Sequence, residues 1–472
     1  MNDTPLTALV LSGGGARAAY QVGVLRAIAQ LRHEARSHAS ALSSSFASSS
    51  ARADSWAPSG SARDPVASAT ATGRGASDPR RTSKPSDNPF DIIVGTSAGA
   101  INSAALASRA DRFEEAVDML CDVWANFSAD QVYRADSIGV IRNGARWATM
   151  LSLGWALARW RRFRPRSLLD NEPLAELLQR LVPMHRIPAM LKRGHLHALA
   201  VTASSYGTGE HVTFYDSREP IEPWIRTQRQ AVATKIDYTH LLASSAIPFI
   251  FPAASIEQHG HEVWFGDGSM RQTAPLAPAI HLGAERMLVI GAGRLQEPSV
   301  ERAPERRYPS VAHIAGHALS NIFLDALAVD VERMARINHT LSLLPNEALE
   351  QTPLRPIDFL VIAPSERLDD IAARHLDALP RPVRALLRGA GVGKAGPRAQ
   401  GAALASYLLF EAPYTQELMA LGVRDTLSRA EEVRKFFGWD VASQRGQARA
   451  SRDTDQRPES LQPAELTSYA HV

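Results

Sequence analysis

Apolar residues in this chain gather in short unbroken runs, separated by stretches in which they recur every three or four positions. Residues 6–11, LTALVL, form one such run, end in Ser-Gly-Gly-Gly, and precede AYQVGVLRAIAQL from Ala19, which has helical spacing. That order predicts a strand, a tight loop and a helix. The same order returns at FDIIV from Phe90, where GTSAGA over residues 95–100 opens an alanine-rich helix. Further strands are predicted at HALAVTAS from His197, HVTFYD from His211, EVWF from Glu262, MLVIGAG from Met287 and IDFLVIAPS from Ile357. Helical segments lie between several of them, which predicts an α/β fold built on a mainly parallel sheet. Residues 404–438 read as helical.

Two stretches break the pattern. Residues 34–88 turn to Ser, Ala, Arg, Gly and Pro with few bulky apolar side chains, and residues 440–472 are uniformly polar. Neither carries enough apolar surface to order itself, so a disordered insertion and a disordered tail are expected. The resulting organisation is a main domain over 1–33 and 89–293, an extension over 294–439 packed on it, and the tail. Residues 147–160, WATMLSLGWALARW, are flanked by Arg142, Arg146, Arg161, Arg162 and Arg164. They read equally as an interfacial helix touching a membrane and as a buried or lid helix.

Composition narrows the function classes. With 472 residues the chain can bury a large core, and a net charge of only +3 argues against nucleic acid as the main partner. The single cysteine, Cys121, sits in an apolar helical pattern and reads as a small buried hydrophobe. The N-terminus runs directly into a strand, without the basic and apolar regions of a secretory signal, so a cytoplasmic protein is expected, in contact with membranes at most peripherally. No apolar run reaches the length of a membrane span. No ligand cluster of the EF-hand kind appears, so chemistry without calcium or another cofactor is expected.

Three segments carry chemistry. GTSAG fits Gly-x-Ser-x-Gly, in which Gly95 and Gly99 let a strand turn sharply into a helix and present Ser97 at the sheet edge. Gly13, Gly14 and Gly15, with Arg17 close behind, also lie between a strand and a helix, where backbone N–H groups can converge on an anion. A dinucleotide loop would use the same physics, but Ala18 stands where its third glycine belongs and no acidic residue follows a second strand. A P-loop lacks its Gly-Lys-Ser/Thr here. Asp267, followed by Gly268, ends a short strand on a turn. Alone it would be a common turn signal, and with the other two segments it offers a base.

These segments, in this order, resemble the patatin-like phospholipase family. SLLDNEPLAELL from Ser167 and ASSAIPFIFPA from Ala243 add to the likeness, which covers residues 6–293 apart from the insertion. The resemblance implies a three-layer sandwich with Ser97 as nucleophile and Asp267 as the base that takes its proton. It also implies Gly13, Gly14, Gly15 and Arg17 around the oxyanion, and a lipid or phospholipid as substrate. Ala18 and Ser269 depart from the family's usual residues. A histidine base would have to come from His240, His261, His281, His313 or His317, none of which sits in a recognisable motif. Two other readings stay open: an acyltransferase using the same acyl-serine, and a catalytically silent lipid-binding or scaffold protein.

Overall fold

The computed structural model describes residues 5–53, 87–134, 167–258, 260–294, 310–322, 326–393 and 401–439. The stretch 147–160, most of the expected insertion and the tail lie outside them. The chain divides into two units, one over 1–30 and 70–429 and one over 31–69 and 430–472. The described part of the smaller unit is helical and includes an ion pair between Arg434 and Glu34 at 2.9 Å.

The larger unit is built on a ten-stranded sheet. Strands β1 (Thr7–Leu11), β2 (Ile92–Thr96), β3 (Ala198–Ser205), β9 (Arg286–Ile290) and β10 (Asp358–Ile362) run parallel in the order β10-β9-β1-β2-β3. All residues of β1, β2 and β3 are buried, as expected of parallel strands covered by helices on both faces. One face packs Ala8, Val10, Ile92, Val94, Met287 and Val289 against Leu276, Ala279, Leu327 and Met334. The expected mainly parallel α/β architecture is therefore present, and every strand predicted above forms.

The far edge is antiparallel in part. β4 (His211–Ser217) runs against β3, and β6 (Arg229–Ala233) follows with the two-residue β5 (Ile225–Arg226). β7 (Ala254–Gln258) pairs with β8 (His261–Asp267). Sequence patterning missed β5, β6 and β7, which are short and half exposed and so lack a clean run or alternation.

Helix α1 spans Ala19–Ala53. It continues well beyond residue 34, where the disordered insertion was expected to begin. The reason is local: alanine recurs through residues 35–53, and its high helix propensity extends a helix already nucleated by the preceding turns. The helical reading of 404–438 resolves into Ala402–Ser406, Ala412–Leu427 and Ala430–Phe437, with a non-helical break at Leu408, Leu409 and Phe410.

Candidate active site

Strand pairing brings the three segments together. Leu11 lies beside Gly95, so the glycine loop after β1 and the serine turn after β2 leave neighbouring parallel strands at the same end. β2 pairs with β3 only as far as Thr202, and from Ala203 onward β3 takes β8 as its partner while still holding β4 on its other side. β8 thus fills the edge that β2 vacates on turning away. Its last residue, Asp267, pairs with Ala203 and arrives beside Ser97.

The turn at Ser97 is strained. Its φ is 56° and ψ −130°, a region that non-glycine residues rarely occupy and that costs about 1–3 kcal/mol. Both flanking glycines are required sterically: a Cβ on Gly95 would stand 2.4 Å from Ser103 Oγ, and one on Gly99 would stand 2.5 Å from the Leu11 carbonyl. The Ser97 N–H donates to Ser244 Oγ at 2.8 Å, which holds the turn from the motif ASSAIPFIFPA. That motif also receives the chain from Ser167, through Leu168 N–H to the Phe249 carbonyl at 2.8 Å and Leu169 N–H to the Ile250 carbonyl at 2.9 Å.

Ser97 stands at the N-terminus of helix α2 (Ala98–Ala107), yet its hydroxyl does not cap that helix. It donates to Asp267 Oδ2 at 2.6 Å instead. The N–H groups of Ala98 and Gly99 consequently have no acceptor among the described residues, and the helix dipole favours negative charge in front of them. Asp267 is fully buried, and its Oδ1 accepts the Ser269 N–H at 2.9 Å. Burial pushes its pKa from 3.8 up to about 6, against the opposing effect of those two hydrogen bonds. Gly268 fits because a Cβ there would lie 2.3 Å from the Thr202 carbonyl.

The glycine loop is held differently. Gly15 has φ +55°, and a Cβ on it would meet the Tyr407 carbonyl at 2.3 Å. The Ala16 N–H donates to that same carbonyl at 3.1 Å, and the Arg17 N–H turns back to the Gly14 carbonyl at 3.1 Å. Gly13, Gly14 and Gly15 donate no hydrogen bond among the described residues. The guanidinium of Arg17, expected around the oxyanion, is engaged elsewhere. It is buried, pairs with Asp369, donates to Ser406 Oγ at 2.8 Å and lies 4.0 Å over the Tyr407 ring. A buried guanidinium must satisfy its charge and its donors, and Asp369 and Ser406 do so. Arg17 therefore anchors the loop from behind. Ala18 is completely buried, and Ser269 serves Asp267 through its backbone, so neither departure disturbs the cluster.

In front of Ser97 lies an almost wholly apolar pocket. Its walls come from Ile101 of α2, from Leu120 and Trp124 of α3 (Phe113–Ala125), from Leu177 and Leu178 of α4 (Glu172–Leu181), and from Ile247, Phe251 and Phe410. Gly15 and Ala98 border it beside the serine. Asn102 is its one amide among the described residues, tied to the Trp124 indole N–H at 3.0 Å and the Gln21 amide at 3.2 Å. Among the described residues no histidine lines it. His240 closes a helix cap with Asp237, and His281 stacks on Trp224 at 4.6 Å. Cys121 is half-buried, and burial pushes its thiol up to about 11.

A family model described as patatin-like phospholipase matches residues 79–280, the segment that holds the serine turn, the motif ASSAIPFIFPA and Asp267. The chain carries a patatin-like phospholipase domain. Its oxyanion-loop candidate and the residues that grip it, Arg17, Asp369, Ser406 and Tyr407, all lie outside that matched segment. Among solved structures, VipD from Legionella pneumophila is similar at 11% identity over 88% of this chain and 67% of its own, with a TM-score of 0.25. A comparison with curated protein sequences finds no match.

Sequence reasoning missed Ser244, Asp369, Ser406 and Tyr407. Ser244 lies inside a motif already singled out, so its signal was present. Among the described residues no group of side chains is arranged to hold a metal ion, and no helix is long and apolar enough to cross a membrane.

Proposed function

We propose that the protein is a serine lipid acyl hydrolase that cleaves fatty acyl esters through an acyl-serine on Ser97, with Asp267 as the base. The observation that carries this reading is the 2.6 Å contact between Ser97 Oγ and a fully buried Asp267, at the head of an apolar pocket. In the proposed reaction Asp267 takes the hydroxyl proton as Ser97 Oγ attacks the ester carbonyl carbon. The carbonyl oxygen becomes an oxyanion facing the N–H groups of Gly14, Gly15 and Ala98. As the tetrahedral centre collapses, the ester C–O bond breaks and Asp267 returns the proton to the departing alcohol. Water then repeats the sequence on the acyl-serine, giving the free acid and restoring Ser97.

An aspartate of ordinary pKa is a weak base. Burial helps here, since a pKa near 6 keeps Asp267 ionised at neutral pH while raising its affinity for the serine proton. The acyl chain would lie between α3 and α4, where the walls offer apolar contact and few polar groups. Such a pocket suits a fatty acyl group of a phospholipid or related ester better than a polar acyl group. Membrane contact through residues 147–160 is a proposal that rests on sequence alone.

The test is hydrolysis of p-nitrophenyl esters of four and twelve carbons, and of mixed phospholipid vesicles, by wild type, Ser97→Ala and Asp267→Asn. Circular dichroism would check the fold of each. The expected result is turnover by wild type, unchanged by a chelator, that disappears in both variants. Turnover surviving Ser97→Ala, or absent from a folded wild type, would overturn the reading.

A further inference from the structure

A second cavity lies at the other end of the sheet. It is walled by the β5–β6 hairpin, by helices α5 (Ala277–His281) and α6 (Ala326–Ser342), and by residues 353–357. Gly283 and Ile357, which border it, lie within three residues before β9 and β10, whereas Ser97 follows β2. Because these strands are parallel, the cavity opens at their N-terminal ends and the serine pocket at their C-terminal ends. One small ligand cannot occupy both.

Four arginines line this cavity, Arg226, Arg229, Arg333 and Arg355, against one carboxylate, Asp330. That carboxylate is buried and already committed. Its Oδ2 accepts the Leu276 N–H at 3.0 Å, and its Oδ1 accepts from Arg333 at 3.1 Å. Arg355 donates to the carbonyls of Ile280 and Ala284, and Arg226 to that of Ile225, so both keep their full charge. Arg229 has no ion pair or side-chain hydrogen bond among the described residues. Burial and the neighbouring Arg226 and Arg229 hold the pKa of His281 below its usual value.

Arg229 and Arg333 both lie close enough to Asp330 to act on its charge, Arg226 and Arg229 do the same to His281, and like charges so gathered repel unless an anion joins them. Guanidinium forks match the oxygens of phosphate, and the site offers several donors from separate elements. Ile280, Met334 and Ile337 provide an apolar wall beside them, and Leu354 stands 53% exposed at the rim. We propose that this cavity is a binding site for the phosphate group of an organic phosphate whose carrier lies against that wall.

The same phosphate chemistry could come from a soluble ester or from a lipid headgroup, and a titration can separate them. Isothermal titration calorimetry of the full chain bearing Ser97→Ala would use inorganic pyrophosphate, and phosphatidylcholine vesicles with and without phosphatidic acid. Saturable pyrophosphate binding is expected, weakened roughly tenfold or more in Arg229→Ala and less in Arg229→Lys, as loss of one charge-assisted contact implies. Pyrophosphate binding without vesicle binding would assign a soluble ester. Binding of phosphatidic-acid vesicles that pyrophosphate displaces would assign a headgroup. The proposal fails if neither probe binds, if pyrophosphate binding survives combined Arg226→Ala and Arg229→Ala, or if vesicle binding is indifferent to pyrophosphate.

Discussion

The serine turn and the glycine loop sit side by side at the ends of adjacent strands, yet they are held by different means. The turn is largely self-contained: Gly95, Ser97 and Gly99 fold against their own helix and the end of β1, and Asp267 arrives by strand pairing. The loop depends on residues far along the chain. Its Arg17 reaches Asp369 and Ser406 across separations of 352 and 389 residues, and its Gly15 rests on the Tyr407 carbonyl. The proposed nucleophile is therefore built from a local motif, whereas the donors proposed to hold its transition state are braced by the wider fold. The extension after residue 293 acquires a role on this view: it fixes the loop.

The largest expected effect falls on the turn. Ser97→Ala should lower kcat by roughly 10⁴-fold or more in an ester assay, with Asp267→Asn close behind, because these groups act as a unit. Equal effects from the loop would erase the difference between the two regions. Gly15→Ala comes next. A methyl group 2.3 Å from a backbone oxygen, on a residue with φ +55°, must displace the loop. Loss of one well-placed donor predicts a fall in kcat of about 10²-fold with KM little changed.

Asp369→Asn sharpens the comparison most. It leaves Ser97, Asp267 and the pocket untouched and weakens only the grip on Arg17. A fall in kcat of roughly tenfold is expected, together with lower thermal stability, since an unpaired guanidinium would remain buried. Unchanged kcat in the folded variant would show that the loop needs no brace from the extension.

The remaining effects come from pH. The proposed mechanism requires ionised Asp267, so kcat/KM should rise with pH and level off above about 6, as a pH–rate profile would show. Stability moves in the opposite direction. The folded pKa is raised, so the native state binds the proton more tightly than the unfolded chain, and its stability falls as pH rises from 3.8 to about 6. The loss amounts to about 3 kcal/mol. Asp267→Asn does not titrate, so its stability relative to wild type should increase between pH 4 and pH 7 in denaturant melts.

Much of this arrangement was legible in the sequence because it is written in short range. Strands such as FDIIV and MLVIGAG declare themselves as buried apolar runs, and the elbow needs small residues at fixed offsets from one serine. Asp267 was legible only in company with the other motifs. The brace on the glycine loop left no such trace: Asp369 and Tyr407 look like any exposed acid and any aromatic until the fold brings them to Arg17. The resemblance implies Arg17 around the oxyanion, and sequence shows that it lies in the loop but not that its side chain turns to Asp369 and Ser406. The hairpin of β5 and β6 escaped for a related reason, since Ile225 and Arg226 are exposed and owe their pairing to a neighbouring strand.

The most direct test of the central claim is covalent trapping of the nucleophile. Wild type, Ser97→Ala and Asp267→Asn would be treated with a long-chain alkyl fluorophosphonate, digested and analysed by mass spectrometry. The account predicts one adduct, on Ser97, formed quickly in wild type, far more slowly in Asp267→Asn and not at all in Ser97→Ala. An adduct on another residue, or a folded wild type that stays unlabelled, would contradict it.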